Sequence, residues 1–203
     1  MTRFGLDIKV ALLGATLPVL LLLLSLNSVW PDLSNYDAVF RSNDFDYSSA
    51  VRTTEQLFDY FKAPIEAPFS IPAFNSGEAS HLKDVKMVLK AQYVVMYALI
   101  ILWIAVIVFD RKIFWRAVLC AGLAGFLLCL FLALVPFETL FVWFHKLVFP
   151  QGNWIFERGQ LMVTMYPQRL FESLAGQIFT RFFAMLASSV MLGWIGAKFV
   201  QKP

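Results

Sequence analysis

The chain contains little charge for its length. Aspartate, glutamate, lysine and arginine make up 15% of its 203 residues, well below the roughly 25% that is usual in soluble domains. Hydrophobic residues make up 59% and aromatic residues 16%, and the formal net charge is only +3. This composition excludes an ordinary soluble domain and indicates an integral membrane protein, and nothing in it indicates a nucleic-acid partner.

Cysteine is also scarce. The two cysteines, Cys120 and Cys129, fall in the same apolar run. A helix turns by about 100° per residue, so nine positions place the two side chains on opposite faces. This excludes a redox pair or a metal clamp and indicates two small apolar packing residues.

The sequence has long runs without charge instead. Val10–Val29, Ala91–Phe109 and Ala117–Phe137 carry none, and Ser173–Ala197 carries only Arg181. A hydrocarbon core of about 30 Å is crossed by roughly 20 apolar residues in a helix. The first run is too long for the core of a cleavable signal and is interpreted as a retained anchor. The sequence therefore predicts one membrane domain, 1–203, with spans at about 8–30, 88–109, 114–136 and 173–198.

Two polar segments separate the spans. The first, about 31–86, is too long for a turn and is interpreted as a cap, in which Pro64, Pro68 and Pro72 predict a non-helical passage. The second, about 137–170, begins with an amphipathic stretch and is interpreted as an interfacial segment. The predicted fold class is an all-α integral membrane protein with four transmembrane helices. An extracytoplasmic cap lies between helices one and two, and an interfacial segment lies between helices three and four.

Basic residues near the span ends indicate the orientation. Seven of them flank the spans closely on the side that holds both termini: Arg3, Lys9, Arg111, Lys112, Arg116, Lys198 and Lys202. The opposite side spreads its basic residues over longer and more acidic segments. The positive-inside bias therefore predicts that both termini are cytoplasmic and that the cap is extracytoplasmic.

The two histidines stand where apolar runs meet polar residues. His81 precedes the second span and His145 follows the third, so the order of the spans alone places both on the cap side. On a continuous helix, Gln92 falls about 20° from His81, with Glu78 and Asp84 about 60° to either side. The opposite face, which suits lipid phosphates, carries Lys83, Lys86 and Lys90.

A pair of histidines allows several chemistries. Neutral imidazole accepts a proton near physiological pH and a carboxylate can hold its tautomer, which favours general acid–base catalysis. Interfacial capping by each ring is the other interpretation, and the residues leave both open. A haem between the rings, a serine hydrolase using Ser80, and a zinc site completed by Glu78, Asp84 or Glu138 are weaker. A haem needs facing helices in a bundle, a serine hydrolase a G-x-S-x-G motif, and a zinc site metal-ligand spacing. The sequence shows none of these three features.

Two sequence blocks resemble a known family. E-x-x-HLKDVK at 78–86 and FHKLVFPQGNWIFERGQLMVTMYPQRLF at 144–171, with four spans and a cap, resemble the bacterial lipoprotein intramolecular transacylase (Lit) family. The resemblance implies an acyltransferase of the bacterial cytoplasmic (inner) membrane that requires no cofactor. It would move the sn-2 acyl chain of a diacylglyceryl-modified lipoprotein to the α-amino group of its cysteine, giving the lyso-form. The implied partners are that lipoprotein and membrane lipid.

The resemblance also implies roles for single residues. His81 is expected to be the general base for the amine and His145 to stabilise or protonate the ester side, with the reverse assignment left open. An intramembrane charge is a functional candidate by default. The expected supporting residues are Glu78, Asp84, Gln92, Trp154, Tyr166 and Arg181, and no metal ligands are expected. The alternative functions are a noncatalytic lipid- or partner-binding protein and the same fold acting on another lipid ester.

Overall fold

Every regular element that the structure describes is helical. A computed structural model describes residues 7–42 and 46–200, and no strand occurs among them. The helices are α1 (Ile8–Val29), α2 (Asp37–Ser42), α3 (Tyr47–Lys62), α4 (Ser76–Phe109), α5 (Arg111–Leu134), α6 (Phe137–Val148), α7 (Leu161–Met165) and α8 (Gln168–Val200). A 3₁₀ turn, Leu33–Asn35, precedes α2. Arg3 and Lys202, on which the predicted orientation partly depends, lie outside the described residues.

Four of these helices are membrane-spanning. Within residues 7–42 and 46–200, α1, α4, α5 and α8 are the helices long and apolar enough to cross a bilayer. With 34 and 33 residues, α4 and α8 are each about 50 Å long, so each exceeds a hydrocarbon core of about 30 Å. The predicted fold class, an all-α integral membrane protein with four transmembrane helices, is confirmed.

The chain divides into two compact units. The first, called the span unit, comprises Met1–Leu26, Val94–Val135 and Ile178–Pro203. The second, called the site unit, comprises Asn27–Tyr93 and Pro136–Gln177. Most of the charge-free sequence belongs to the span unit, whereas both histidines belong to the site unit.

Close helix contacts hold the span unit together. A Cβ atom on Gly14 of α1 would come within 2.8 Å of the Ala117 carbonyl oxygen of α5, so the two backbones can approach only because this residue is glycine. Trp103 of α4 donates its indole N–H to the Thr16 hydroxyl of α1 at 3.1 Å. This bond satisfies a polar pair within apolar surroundings, where an unmatched group would be costly.

An aromatic cluster anchors α3 in the site unit. Trp30 meets Phe58 and Phe61 edge-on, with ring centroids 5.4 and 6.1 Å away, and Tyr36 packs against Phe58 at 5.5 Å. The Tyr36 hydroxyl donates to the Trp30 carbonyl at 2.8 Å. These contacts bury the apolar face of α3 against the residues that follow α1.

Lysines of α4 hold the proline-containing passage between α3 and α4, which is non-helical as predicted. Lys86 is 1% exposed, donates to the Pro64 carbonyl at 2.6 Å, and lies 4.0 Å from the centre of the Tyr60 ring. Lys90 donates to the Lys62 carbonyl at 2.9 Å. The expectation that this face meets lipid phosphates is wrong for Lys86, because its ammonium is buried against a carbonyl and an aromatic ring.

Candidate active site

The two histidines meet in the site unit. His81 lies in the polar first turns of α4, ahead of the charge-free stretch, and His145 lies in the last turn of α6. Their ring centroids are 6.1 Å apart and the ring planes are inclined by 31°. The structure therefore brings together the two rings that the order of the spans places on one side.

Aromatic side chains line both rings. The centroid distances are 4.8 and 5.6 Å from His81 to Phe149 and Phe156, and 4.0 and 4.9 Å from His145 to Phe141 and Trp154. Only 4% of the His81 surface is exposed. The lining therefore keeps most water away from the His81 ring, and partial or full burial disfavours the charged forms of both imidazoles.

Burial keeps both imidazoles neutral at physiological pH. The pKa of His81 is lowered from 6.5 to about 4, first by burial and then by the nearby His145, while Asp84 and Asn153 act in the opposite direction. Burial also lowers the pKa of His145, against the opposing effect of its hydrogen bond to the Phe141 carbonyl. Each ring can therefore accept a proton at neutral pH.

The tautomer of His145 is fixed by its own helix. Nδ1 lies 2.7 Å from the Phe141 carbonyl oxygen, one turn earlier in α6. A carbonyl only accepts hydrogen bonds, so Nδ1 carries the proton and donates it. The lone pair of the neutral ring is therefore on Nε2, and this nitrogen accepts a proton before it can donate one.

Asp84 ties the loop after α6 to α4. Its Oδ2 accepts hydrogen bonds from Gln151 Nε2 at 2.8 Å and from Asn153 Nδ2 at 2.6 Å. The loop turns at Gly152, whose φ of 77° lies in the left-handed region and whose N–H donates to the Phe149 carbonyl at 3.1 Å. Asp84, predicted as a supporting residue, thus positions the loop that lines both histidines.

Glu78 joins two helices through their backbones. It is 1% exposed, and its Oε2 accepts the Asn75 N–H at 2.9 Å. Asn75 Oδ1 in turn accepts the N–H groups of Gly77 and Glu78, which makes a capping box at the start of α4. The second oxygen, Oε1, accepts the Met162 N–H of α7 at 2.8 Å. Both carboxylate oxygens of this predicted supporting residue are therefore bound to backbone.

Gln92 is not brought to the histidine pair. It exchanges two hydrogen bonds with Asn27, at 2.9 and 3.1 Å between the side-chain amides. On α4 it has the angular position of His81, but eleven residues later, which is about 16 Å along the axis. It therefore joins α4 to α1. Arg181, the predicted candidate of the fourth span, lies in α8 within the span unit.

The two residues predicted from the second block have different surroundings. Trp154 contacts the His145 ring. Tyr166 is only 8% exposed and its hydroxyl is 2.9 Å from that of Thr54 on α3. Thr54 gives its own hydrogen to the Ala50 carbonyl at 2.8 Å, so Tyr166 is the donor of this pair. Tyr166 thus joins the end of α7 to α3.

These side chains do not form a metal centre. In the part of the chain that the structure describes, no group of three or more His, Cys, Asp or Glu side chains could hold a metal ion. Two candidates for a third zinc ligand already accept hydrogen bonds: Glu78 uses both carboxylate oxygens for backbone N–H groups, and Asp84 uses Oδ2 for two side-chain N–H groups.

A family match covers the whole cluster. Residues 11–171 match the family model described as lipoprotein intramolecular transacylase Lit. The chain belongs to the Lit family. The matched residues include both blocks, 78–86 and 144–171, on which the resemblance depends, and the resemblance is confirmed.

Solved structures of Lit from Bacillus cereus share the Lit family fold. One is 20% identical to this chain, with a TM-score of 0.82 over 98% of this chain and 99% of that one. Two others carry a histidine substitution, by arginine or by alanine, with TM-scores of 0.73 and 0.74 at 22% and 20% identity. Each of these two matches covers 96% of this chain, and the matched regions are 93% and 95% of the two solved chains.

The match to a curated relative covers a smaller part of the chain. An uncharacterized protein of Aquifex aeolicus (strain VF5) is 30% identical over 134 residues, which are 64% of this chain. The chain spans 60% of the length of that relative.

Asn153 and three phenylalanines of this Lit family site carry only weak signals in the sequence. Asn153 and Trp154 stand together in the second block, and Phe149 and Phe156 lie near His145 along the chain. Phe141, Phe149 and Phe156 are among 21 phenylalanines, and an interfacial aromatic belt accounts for them equally well. Asn153 lies in a loop without periodicity. Its signal is a polar side chain between a turn glycine and a tryptophan, and this suggests a turn as readily as a site.

Proposed function

We propose that this chain is an acyltransferase that moves an acyl chain within one substrate molecule. The substrate is a diacylglyceryl-modified lipoprotein, and the acyl chain on the second glycerol carbon (sn-2) moves to the α-amino group of its N-terminal cysteine. The product is the lyso-form lipoprotein. The observation that carries the proposal is a pair of neutral imidazoles, 6.1 Å apart within an aromatic lining, in a chain of the Lit family.

The reaction replaces an ester with an amide. The amine nitrogen attacks the ester carbonyl carbon, the C–N bond forms, and the C–O bond to glycerol breaks. The proton lost by nitrogen ends on the glyceryl oxygen, so no water is consumed and the mass of the substrate does not change. Because the amide is the more stable group, the protein needs no cofactor and supplies proximity and proton transfer.

A neutral site selects the neutral amine. An α-amino group has a pKa of about 7.7 to 8.0, so a minor fraction is uncharged at pH 7. Moving an ammonium into a desolvated aromatic lining is costly, whereas the neutral amine enters and is already nucleophilic. The lowered pKa of His81 and of His145 supports this step, since each neutral ring can accept the amine proton as the C–N bond forms.

We assign His81 to the amine and His145 to the ester side. His81 accepts the proton that the nitrogen loses on attack. Nδ1 of His145 stays bound to the Phe141 carbonyl, so its Nε2 gives a proton to the glyceryl oxygen only after taking one up. The proton therefore passes from His81 to His145, whose ring centroids are 6.1 Å apart, before the C–O bond is fully broken, and the two rings work as one relay.

Exposed apolar side chains support a lipid-linked substrate. Trp143 and Leu147 of α6 are 54% and 82% exposed, and Ile155 of the following loop is 73% exposed. Aromatic groups prefer the interfacial depth of a bilayer, where the ester groups of lipids lie. These side chains suit contact with membrane lipid and with the acyl chains of the lipoprotein.

The proposal includes the bacterial cytoplasmic (inner) membrane, with both termini cytoplasmic and residues 31–86 extracytoplasmic. Basic residues next to the span ends support this orientation. In a chain with Cys120 and Cys129 replaced by alanine, Gln56→Cys should react with a membrane-impermeant maleimide on intact cells. Lys112→Cys should react only after lysis. The reverse pattern would contradict the orientation.

The activity is tested by locating acyl chains. A synthetic diacylglyceryl-cysteine lipopeptide is incubated with the purified protein in detergent and fragmented in a mass spectrometer. We expect one acyl chain on the α-amine with the total mass unchanged.

Other outcomes of that experiment identify the alternatives. Loss of one acyl chain as free fatty acid means hydrolysis, and activity only toward a phospholipid means another lipid ester as substrate. Unchanged lipopeptide with folded protein favours a noncatalytic lipid- or partner-binding protein. Each of these results contradicts intramolecular transfer.

A further inference from the structure

Two buried atoms in the site have no hydrogen-bond partner. They are His81 Nδ1 and Asn153 Oδ1, and they share this state with no other buried side-chain nitrogen or oxygen among residues 7–42 and 46–198. An unmatched buried polar atom is costly and calls for an explanation. His81 Nδ1 can carry a hydrogen and donate it, and Asn153 Oδ1 can accept it. The Asn153 side chain is also close enough to favour the protonated His81 ring.

The orientation of the Asn153 amide is fixed from its other side. Nδ2 donates to Asp84 Oδ2 at 2.6 Å and to Ser80 Oγ at 3.3 Å. Exchanging the amide oxygen and nitrogen would set an acceptor against the Asp84 carboxylate, which also only accepts. Oδ1 is therefore the atom left to receive a hydrogen bond from a further side chain.

We propose that Asn153 is a positioning residue for His81, whose Nδ1–H donates to Asn153 Oδ1. This bond holds the tautomer in which the lone pair is on Nε2, where the amine proton is received. The catalytic meaning of the bond rests on the proposed acyl transfer. Its existence rests on the arrangement of Asp84, Asn153 and His81.

Both histidines are then held by uncharged acceptors. The Phe141 carbonyl holds Nδ1–H of His145, and the Asn153 amide holds that of His81. A carboxylate in either place would favour the imidazolium, whereas an amide oxygen fixes the tautomer without adding charge. This arrangement suits a site that must keep both rings neutral. Asp84 is bound to the amide of Asn153 and reaches His81 through it.

Nitrogen-15 NMR of ring-labelled histidine tests the bond directly. The chain has two histidines, so the full-length protein in micelles gives two sets of ring signals, which His145→Gln assigns. At pH 7 we expect His81 to be the neutral tautomer that is protonated on Nδ1 and unprotonated on Nε2. In Asn153→Leu, which keeps the side-chain size, His81 should become a mixture of tautomers while His145 is unchanged. A wild-type His81 protonated on Nε2, or His81 signals unmoved in Asn153→Leu, overturns the proposal.

Gln151→Met separates control of the tautomer from anchoring of the loop. Gln151 donates to the same Asp84 Oδ2 as Asn153 does, so its replacement removes a comparable bond from the same loop. We expect wild-type His81 signals in this variant. A shift equal to that of Asn153→Leu would mean that Asn153 only anchors the loop, and would overturn the proposal.

Asn153→Asp combined with Asp84→Asn exchanges the amide and the carboxylate, so the hydrogen bond between the two positions is kept and the negative charge stands at position 153, next to His81. The groups facing His81 are Asp84 on its own helix, His145 on α6 and the loop residues: Asn153, Phe149 and Phe156. A carboxylate at 153 favours the imidazolium, so the pKa of His81 rises and its signals titrate at higher pH than in the wild type. In Asn153→Leu the pKa falls. If the His81 signals titrate with the same midpoint in the wild type, in the variant with a carboxylate at 153 and in Asn153→Leu, the proposal is overturned.

Activity gives a separate result. On the lipopeptide, kcat of Asn153→Leu should fall about tenfold with KM nearly unchanged, since one hydrogen bond that holds the ring is lost. Gln151→Met should keep the wild-type kcat, and an equal loss there contradicts a positioning role. If the wild-type protein transfers no acyl chain but the NMR results hold, the acyl-transfer proposal fails and the positioning proposal stands.

Discussion

His81→Asn and His145→Asn are each expected to slow acyl transfer by about 10² to 10⁴-fold. The asparagine amide nitrogen takes the place of Nδ1, so the variant of His145 keeps a donor for the Phe141 carbonyl. No atom in the place of Nε2 can take up and release a proton. The loss therefore reports proton transfer and not packing. It is measured as the initial rate at which the N-acyl lipopeptide appears.

The double variant distinguishes a relay from two independent contributions. Removing either ring breaks a relay, so the double variant should be about as slow as the slower single variant. Lys83→Gln and Lys146→Gln change exposed neighbours on the same two helices and should keep the wild-type rate. A wild-type rate in either histidine variant would remove that ring from the mechanism. Single losses that multiply in the double variant would contradict the relay.

The spans and the histidine pair could be predicted because they depend on composition and order. An uncharged run of about 20 residues has few alternatives to a membrane helix. The parity of the spans then places His81 and His145 on the same side whatever the orientation. Neither step needs the position of any loop, and the structure brings the rings to 6.1 Å.

The surroundings of the rings could not be predicted, because they depend on long-range pairing. The helical angle alone grouped Gln92 with His81, although the eleven residues between them also correspond to about 16 Å along the axis, and the structure pairs Gln92 with Asn27. The loop that carries Asn153 has no periodicity, and its position follows from bonds to Asp84, which is 69 positions earlier in the chain. A single sequence does not specify such a pair.

Glu78 shows how one spacing supports two interpretations. It stands three residues after Asn75 and three before His81, so the same positions suit a capping box and a carboxylate partner for the ring. The start of the apolar pattern favours a helix beginning there. The structure places Asn75 and Glu78 in the capping box and binds the other oxygen of Glu78 to Met162.

Glu78→Ala is therefore expected to destabilise the fold and not to change the chemistry. It leaves the N–H groups of Asn75 and Met162 without acceptors, and each unmatched group costs about 1 to 3 kcal/mol, so the free energy of unfolding should fall by roughly 2 to 4 kcal/mol. Glu78→Gln keeps one acceptor oxygen and should lose about half as much. Thermal unfolding of the protein in micelles, followed by the loss of helical signal, measures both changes.

Two further measurements separate this role from catalysis. Glu157→Ala removes the same side chain from an exposed position in the loop before α7 and should leave the melting temperature unchanged. At a temperature where Glu78→Ala is still folded, its rate of acyl transfer should stay within a few-fold of the wild type, with the same pH profile. Wild-type melting together with a hundredfold slower transfer would instead make Glu78 part of the proton-transfer machinery. Its two backbone bonds argue against that outcome, because both carboxylate oxygens hold the N–H groups of Asn75 and Met162 and neither is bonded to a histidine ring.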